Sequence, residues 1–151
     1  MAEHVREIMK FNLTSCKTGI VFNQTVVRCS RDIAELLKQI HTKEGNDFQE
    51  FFYCLFLNRR NQITGYYLAS IGGMCDTIAD PRIIIKAAAL ANCCCLILCH
   101  NHPSGSLKPS QADEMLTHKI KEACKWFDIK VIDHVILSEE GYYSFADEGI
   151  I

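Results

Sequence analysis

Two histidines one residue apart, His100 and His102, end an apolar run that extends from Cys93 to Cys99; a Pro/Gly/Ser loop then leads to Ser110 and Asp113. Side chains alternate along an extended segment, so both imidazoles of His100-Asn101-His102 point to one side and Asn101 points away. Asp113 can add a third ligand from the helix that follows. Zinc at catalytic centres takes three such His and carboxylate ligands and leaves a fourth position to water. A local role competes for the same residues. Ser110-Gln111-Ala112-Asp113 ahead of an apolar stripe is also a capping box, with Ser110 at N-cap and Asp113 at N3. A carboxylate oxygen that ligates a metal cannot also reach back to the N-cap N–H, and ligation is the preferred reading of Asp113. Ser110 is less constrained, because its oxygen can cap while its hydroxyl proton points toward the site.

The elements that must position these residues are legible from apolar periodicity. Phe51 to Leu57 is apolar on both faces, as in a strand covered on both sides. After the polar turn Asn58 to Gln62, Ile63 to Ser70 returns as its hairpin partner. Gly72-Gly73 mark a backbone needing unusual dihedrals or close approach. Asp80-Pro81 opens a helix with a cap residue and a first-turn proline, and Ile84, Ala87, Ala88 and Ala91 give it a small-residue face. Cys94 to Cys99 is the strand that delivers the histidines. From Ser110 a helix carries the stripe Ala112, Met115, Leu116, Ile120, Ala123, Cys124 and Phe127, with Trp126 read as core or interface packing. A turn at Asp128, a strand from Val131 to Leu137, a turn at Glu139 to Gly141 and a last strand from Tyr142 to Phe145 complete the order. Upstream, Ser30 reads as N-cap of a helix with apolar positions 33, 36, 37 and 40 that ends near Gly45. Short strands fit Ile8 to Leu13 and Gly19 to Phe22. Residues 1–29 are read as an arm and 30–151 as one domain, an α/β fold with a mixed sheet and helices on its faces.

Composition narrows the class. With 48% hydrophobic and 23% charged residues the chain is ordinary for a globular domain, and no apolar run reaches membrane-spanning length. Met1 to Lys10 carries charges where a signal peptide needs an apolar stretch, so a cytoplasmic protein is expected. The nine cysteines are odd in number, three are consecutive, and none form C-x-x-C, which favours reduced thiols. Cys93 to Cys99 then reads as core before metal or redox site. Whether Cys93 to Cys95 contributes to a homodimer interface stays open. A net charge of -2 without a basic stripe argues against direct duplex binding.

The spacing H-x-H-x7-S-x2-D resembles the JAMM (MPN+) metalloprotease signature. Gly72-Gly73, Asp80-Pro81-Arg82, His100 to Gly105, Asp133-His134 and Tyr143-Ser144-Phe145 narrow the resemblance to the JAB domain of the RadC family, over roughly residues 30 to 151. The resemblance implies a three-layer α-β-α fold similar to that of the cytidine deaminases, zinc held by His100, His102 and Asp113, and hydrolysis of a peptide or isopeptide bond. By the same resemblance Glu50, just before Phe51, is the general base, and Ser110 helps stabilise the oxyanion. Glu44, beyond Gly45-Asn46-Asp47, is expected to be exposed. Asp133-His134 reads first as a hydrogen-bonded structural pair and second as support for the ligands, with at most one of the two reaching the site. Arg82 is assigned an ion pair or a substrate carboxylate; His4, His41 and His118 are ordinary exposed or half-buried residues. The rivals are a DNA-repair accessory protein, an association the family carries, and a JAB-fold interaction module without chemistry. A zinc deaminase is set aside for lack of H-x-E and P-C-x-x-C.

Overall fold

Every residue of Phe51–Leu57 (β1) is buried, so this strand must be covered on both faces, and the rest of the chain supplies that cover. The computed structural model describes residues 26–44, 48–72 and 79–151. Around β1 are α1 (Ser30–Glu44), β2 (Ile63–Ile71), α2 (Pro81–Leu90), β3 (Cys95–Asn101), α3 (Gln111–Lys125), β4 (Lys130–Ser138) and β5 (Gly141–Ser144). Among the described residues the strands form one sheet, ordered β2-β1-β3-β4-β5. It is mixed, as expected: β3 and β4 run parallel across the α3 crossover, and the other pairs are antiparallel.

Alternation along the strands divides the core in two. Phe51, Tyr53, Leu55 and Leu57 of β1 join Ile97, Cys99, Val135 and Leu137 beneath Ile33, Leu36, Leu37 and Ile40 of α1. Phe52, Cys54 and Phe56 join Leu96, Leu98 and Val131 beneath Ile84 and Ala88 of α2 and Ile120 and Cys124 of α3. The result is the expected three layers, with α1 on one face of the sheet and α2 and α3 on the other. The small face of α2 is what lets it approach closely, since Ala88 is fully buried and Ala87 and Ala91 pack at its margin.

Local chemistry sets the ends of these elements. Asn58 closes the β1–β2 turn by accepting from the N–H groups of Arg60 and Gln62, while Asn61 takes a positive φ of 55°. Asp80 caps α2 through the Arg82 N–H and also pairs with the Arg82 guanidinium at 2.6 Å, which is the ion pair expected of Arg82. Asp128, φ 54°, ends the turn after α3. Ser30 departs from expectation: it is the first residue of α1, and its hydroxyl donates to Asp147 at 2.5 Å, tying the helix start to the C-terminal turn.

The α3 stripe is narrower than expected. Thr117, Ile120 and Cys124 are buried, but Met115 and Phe127 are exposed and Trp126 is 90% exposed, which removes it from the core. At 100° per residue Trp126 lies about 200° from Cys124, on the solvent side. Cys93 and Cys99 are buried, Cys94 and Cys95 half-buried. The strands expected before residue 25 and the backbone at Gly45 and Gly73 lie outside the described residues, as does the side chain of Glu44. No helix among the described residues is long and apolar enough to cross a membrane.

Candidate metal centre

Sheet register builds the centre. Antiparallel pairing sets Phe52 opposite His100, so Glu50, two residues before Phe52, comes opposite His102, two residues after His100. Glu50, His100 and His102 offer ligand atoms that all lie within 4.8 Å of one another, a group that could hold a metal ion. Asn101, whose side chain turns away as expected, fixes this end of β1. Its Oδ1 accepts from Phe51 N–H at 2.7 Å and its Nδ2 donates to the Gln49 carbonyl at 2.9 Å. The residue between the two histidines therefore clamps the backbone on both sides of Glu50, and Gly72 N–H holds the Glu50 carbonyl at 2.8 Å.

Asp113 approaches from α3. Its Oδ1 lies 3.3 Å from His100 Nε2, and its Oδ2 lies 3.9 Å from His102 Nε2. The capping box also forms in full: Oδ2 accepts from Ser110 N–H at 2.7 Å, and Ser110 Oγ accepts from Asp113 N–H at 3.1 Å. The expected competition between capping and the site does not arise, because the carboxylate divides its two oxygens between them. Ser110 differs from expectation in one respect. Its hydroxyl donates to Asp113 Oδ2 at 2.6 Å, so its proton is spent holding the aspartate instead of pointing toward the centre.

The hydrogen bonds also locate the imidazole protons. His102 Nδ1 faces the Ser106 carbonyl at 2.7 Å; a carbonyl can only accept, so Nδ1 carries the hydrogen and Nε2 a lone pair. The Thr117 hydroxyl donates to the Asp113 carbonyl at 2.5 Å, which leaves its oxygen to accept from His134 Nδ1–H at 2.6 Å. His134 Nε2 must then accept from His100 Nδ1–H at 2.8 Å, and His100 Nε2 is also a lone pair. The two Nε2 atoms nevertheless lie 2.9 Å apart, beside a carboxylate oxygen. Acceptors crowd together in this way around a cation, and two imidazole nitrogens with a carboxylate oxygen form a donor set that could hold a metal ion.

Burial agrees with neutral imidazoles. Desolvation pulls the His100 pKa down to about 4, with Asp113 opposing and the nearby His102 adding to the effect. His134, fully buried, is held well below the usual histidine range, first by burial and then by His100 and His102. Phe52 stacks on His100 and Phe145 on His134, with centroids 5.7 and 4.7 Å apart.

His134 and Thr117 are the residues that sequence reasoning underrated. Asp133 and His134 face opposite ways and are hydrogen-bonded to each other, the His134 N–H donating to Asp133 Oδ1 at 2.7 Å, yet their side chains serve different places. Asp133 accepts from Ser144 Oγ and the Ala146 N–H, bracing β5, whereas His134 touches His100. What brings His134 to His100 is the parallel pairing of the two strands, which aligns Leu98 with His134 and which no local feature of the sequence specifies. His41 is half-buried, with its Nδ1 3.3 Å from the Tyr53 hydroxyl, and His118 is exposed; His4 lies outside the described residues.

A family model described as RadC-like JAB domain matches residues 27–150. The chain is similar to a UPF0758 protein of Flavobacterium johnsoniae, 50% identical over 101 residues that cover 67% of this chain and 44% of that protein. It is 36% identical over 135 residues to the UPF0758 protein YfjY of Escherichia coli K12, covering 89% of this chain and 79% of that protein. A UPF0758 protein of Pseudomonas fluorescens is 36% identical over 127 residues, covering 84% and 55%. The chain thus spans about half the length of the Flavobacterium and Pseudomonas relatives. The hairpin, ligand strand and following helix all fall inside the matched span, and the chain belongs to the RadC-like JAB domain family.

Proposed function

We propose that the chain is a zinc-dependent hydrolase that cleaves a peptide or isopeptide bond. The observation that carries this reading is the convergence of two unprotonated Nε2 atoms, 2.9 Å apart, on a rim that also holds the Asp113 and Glu50 carboxylates. In this reading His100, His102 and Asp113 Oδ1 are the ligands, and Glu50 is the base. A zinc ion held by these residues would supply Lewis acidity and lower the pKa of bound water to about 7. Glu50, fixed through its backbone by Asn101 and Gly72, would be the group that takes a proton from the attacking water and returns it to the leaving amine. Glu50 is half-buried, within reach of the centre rather than out in solvent. Ser110 holds Asp113 in the orientation that presents Oδ1; the oxyanion role requires its hydroxyl to turn from Oδ2 toward the substrate, a rotation about one bond.

Glu50 belongs both to the compact His/His/Glu group and to the proposed catalytic pair, so its substitution is the informative one. Glu50→Gln should keep the bound zinc while cleavage of model isopeptides and peptides falls by about 10²–10⁴. A variant that loses the zinc would make Glu50 a ligand, and one that cleaves at the parent rate would remove it from the mechanism. A zinc-loaded parent that cleaves no amide would favour the interaction module.

A further inference from the structure

Nothing in the ligand set explains why a fully buried third histidine stands behind it. His134 is enclosed between Phe52 and Phe145, with both ring nitrogens occupied: Nε2 by His100 Nδ1 at 2.8 Å and Nδ1 by Thr117 Oγ1 at 2.6 Å. Thr117 in turn spends its proton on the Asp113 carbonyl at 2.5 Å. The chain of donors has one direction. It begins at a backbone carbonyl, which can only accept, and each link fixes the next: Thr117 O–H to Asp113, His134 N–H to Thr117, His100 N–H to His134. Reversing any link would leave a buried donor facing a donor, or an acceptor facing an acceptor, which burial penalises.

The geometry points to His134 and Thr117 as positioning residues that pin the proton of His100 on Nδ1 and so present Nε2 unprotonated to the centre. The same chain returns to α3 at Asp113, so the strand histidine and the helix aspartate are set by one hydrogen-bonded loop running through β3, β4 and α3. His102, by contrast, is oriented by the Ser106 carbonyl, within its own loop. His100 is therefore the ligand whose protonation state depends on the fold of the whole sheet. The consequence for metal affinity rests on the zinc reading above, whereas the position of the proton does not.

Two readouts separate those claims. Nitrogen-15 NMR of the metal-free full chain should show a slowly exchanging proton on His100 Nδ1 with a through-hydrogen-bond coupling to His134 Nε2. Zinc affinity, measured by competition with a chromophoric chelator, should fall roughly 10- to 100-fold in His134→Phe and Thr117→Val. Phe keeps the stacking and Val keeps the shape of threonine. His134→Gln and Thr117→Ser, which restore an acceptor for His100 and a hydroxyl for position 117, should recover most of that loss. If His134→Phe does not fold, Thr117→Val and the Gln and Ser variants carry the same comparison. A proton found on Nε2 of His100 with a bare Nδ1 in the parent would overturn the assignment, as would folded Phe and Val variants that bind zinc like the parent. A parent that takes up no zinc would contradict the hydrolase reading instead, and the NMR result alone would then decide the role of His134.

Discussion

Asn101 shows how much one side chain can determine at this centre. It lies between two candidate ligands, faces away from them, and uses its whole amide to hold Gln49 and Phe51, the neighbours of Glu50. Asn101→Ala should therefore cost about 1–3 kcal/mol in denaturant unfolding, since it strands a buried N–H and a carbonyl. Under the proposed mechanism it should also lower turnover more than zinc content, because the proposed ligands keep their supports while the proposed base loses its own. Equal loss of both would mean that Asn101 supports the ligands as well. Sequence showed this site unevenly. His100, His102, Ser110 and Asp113 fall within one short stretch and carry their spacing on the surface of the sequence. Thr117 and His134 do not, because their approach to His100 depends on the crossover through α3, which leaves His134 34 residues from His100 in the chain, and on which face each strand presents. The division of the Asp113 oxygens was equally hidden, since spacing says that a carboxylate can reach two places but not that it reaches both at once.

At the level of elements, the capping box is part of the site's mechanics as well as the start of α3. Ser110→Ala removes the hydroxyl that both caps the Asp113 N–H and holds Oδ2. A stability loss of about 1 kcal/mol is expected, which for a chain of this size lowers Tm by about 2–4 °C. Zinc affinity should drop with it, as Oδ1 loses its fixed direction; unchanged affinity would show that Ser110 N–H alone suffices. In the same helix layer, Ala88 of α2 is fully buried, so Ala88→Leu should overpack the contact with the core beneath it and cost about 1–3 kcal/mol by urea unfolding. The strands and helices were legible because each has one dominant period, seven apolar residues for β1 and helical spacing for α1 and α2. The α3 stripe was not. Apolar residues at its C-terminal end extend past the edge of the buried face, and hydrophobicity alone cannot distinguish Trp126 on the solvent side from Cys124 beneath it.

Across the whole molecule, the sheet order makes β1, β3 and β4 interior and leaves β2 and β5 at the edges. Amides of β1 and β3 should exchange with solvent only on global unfolding, and those of β2 and β5 sooner by local opening. Thiol labelling follows the same map. Cys54 and Cys99 are buried, and burial pushes both thiols up, so site-resolved mass spectrometry should find them unreactive until denaturation, after exposed Cys29 has been modified. The three-layer arrangement was legible because β1 needs cover on both faces; the pairing of β3 with β4 was not, since nothing local specifies which strand lies beside the ligands. The sheet brings His100 and His102 together as unprotonated donors, and the helix layer brings Asp113. The most direct test is therefore the metal content of the full chain, purified without added metal or a histidine tag and measured by elemental mass spectrometry beside folded His102→Ala. About one zinc per parent chain and none in the variant is expected. A parent that remains metal-free after zinc is added back would contradict the assignment.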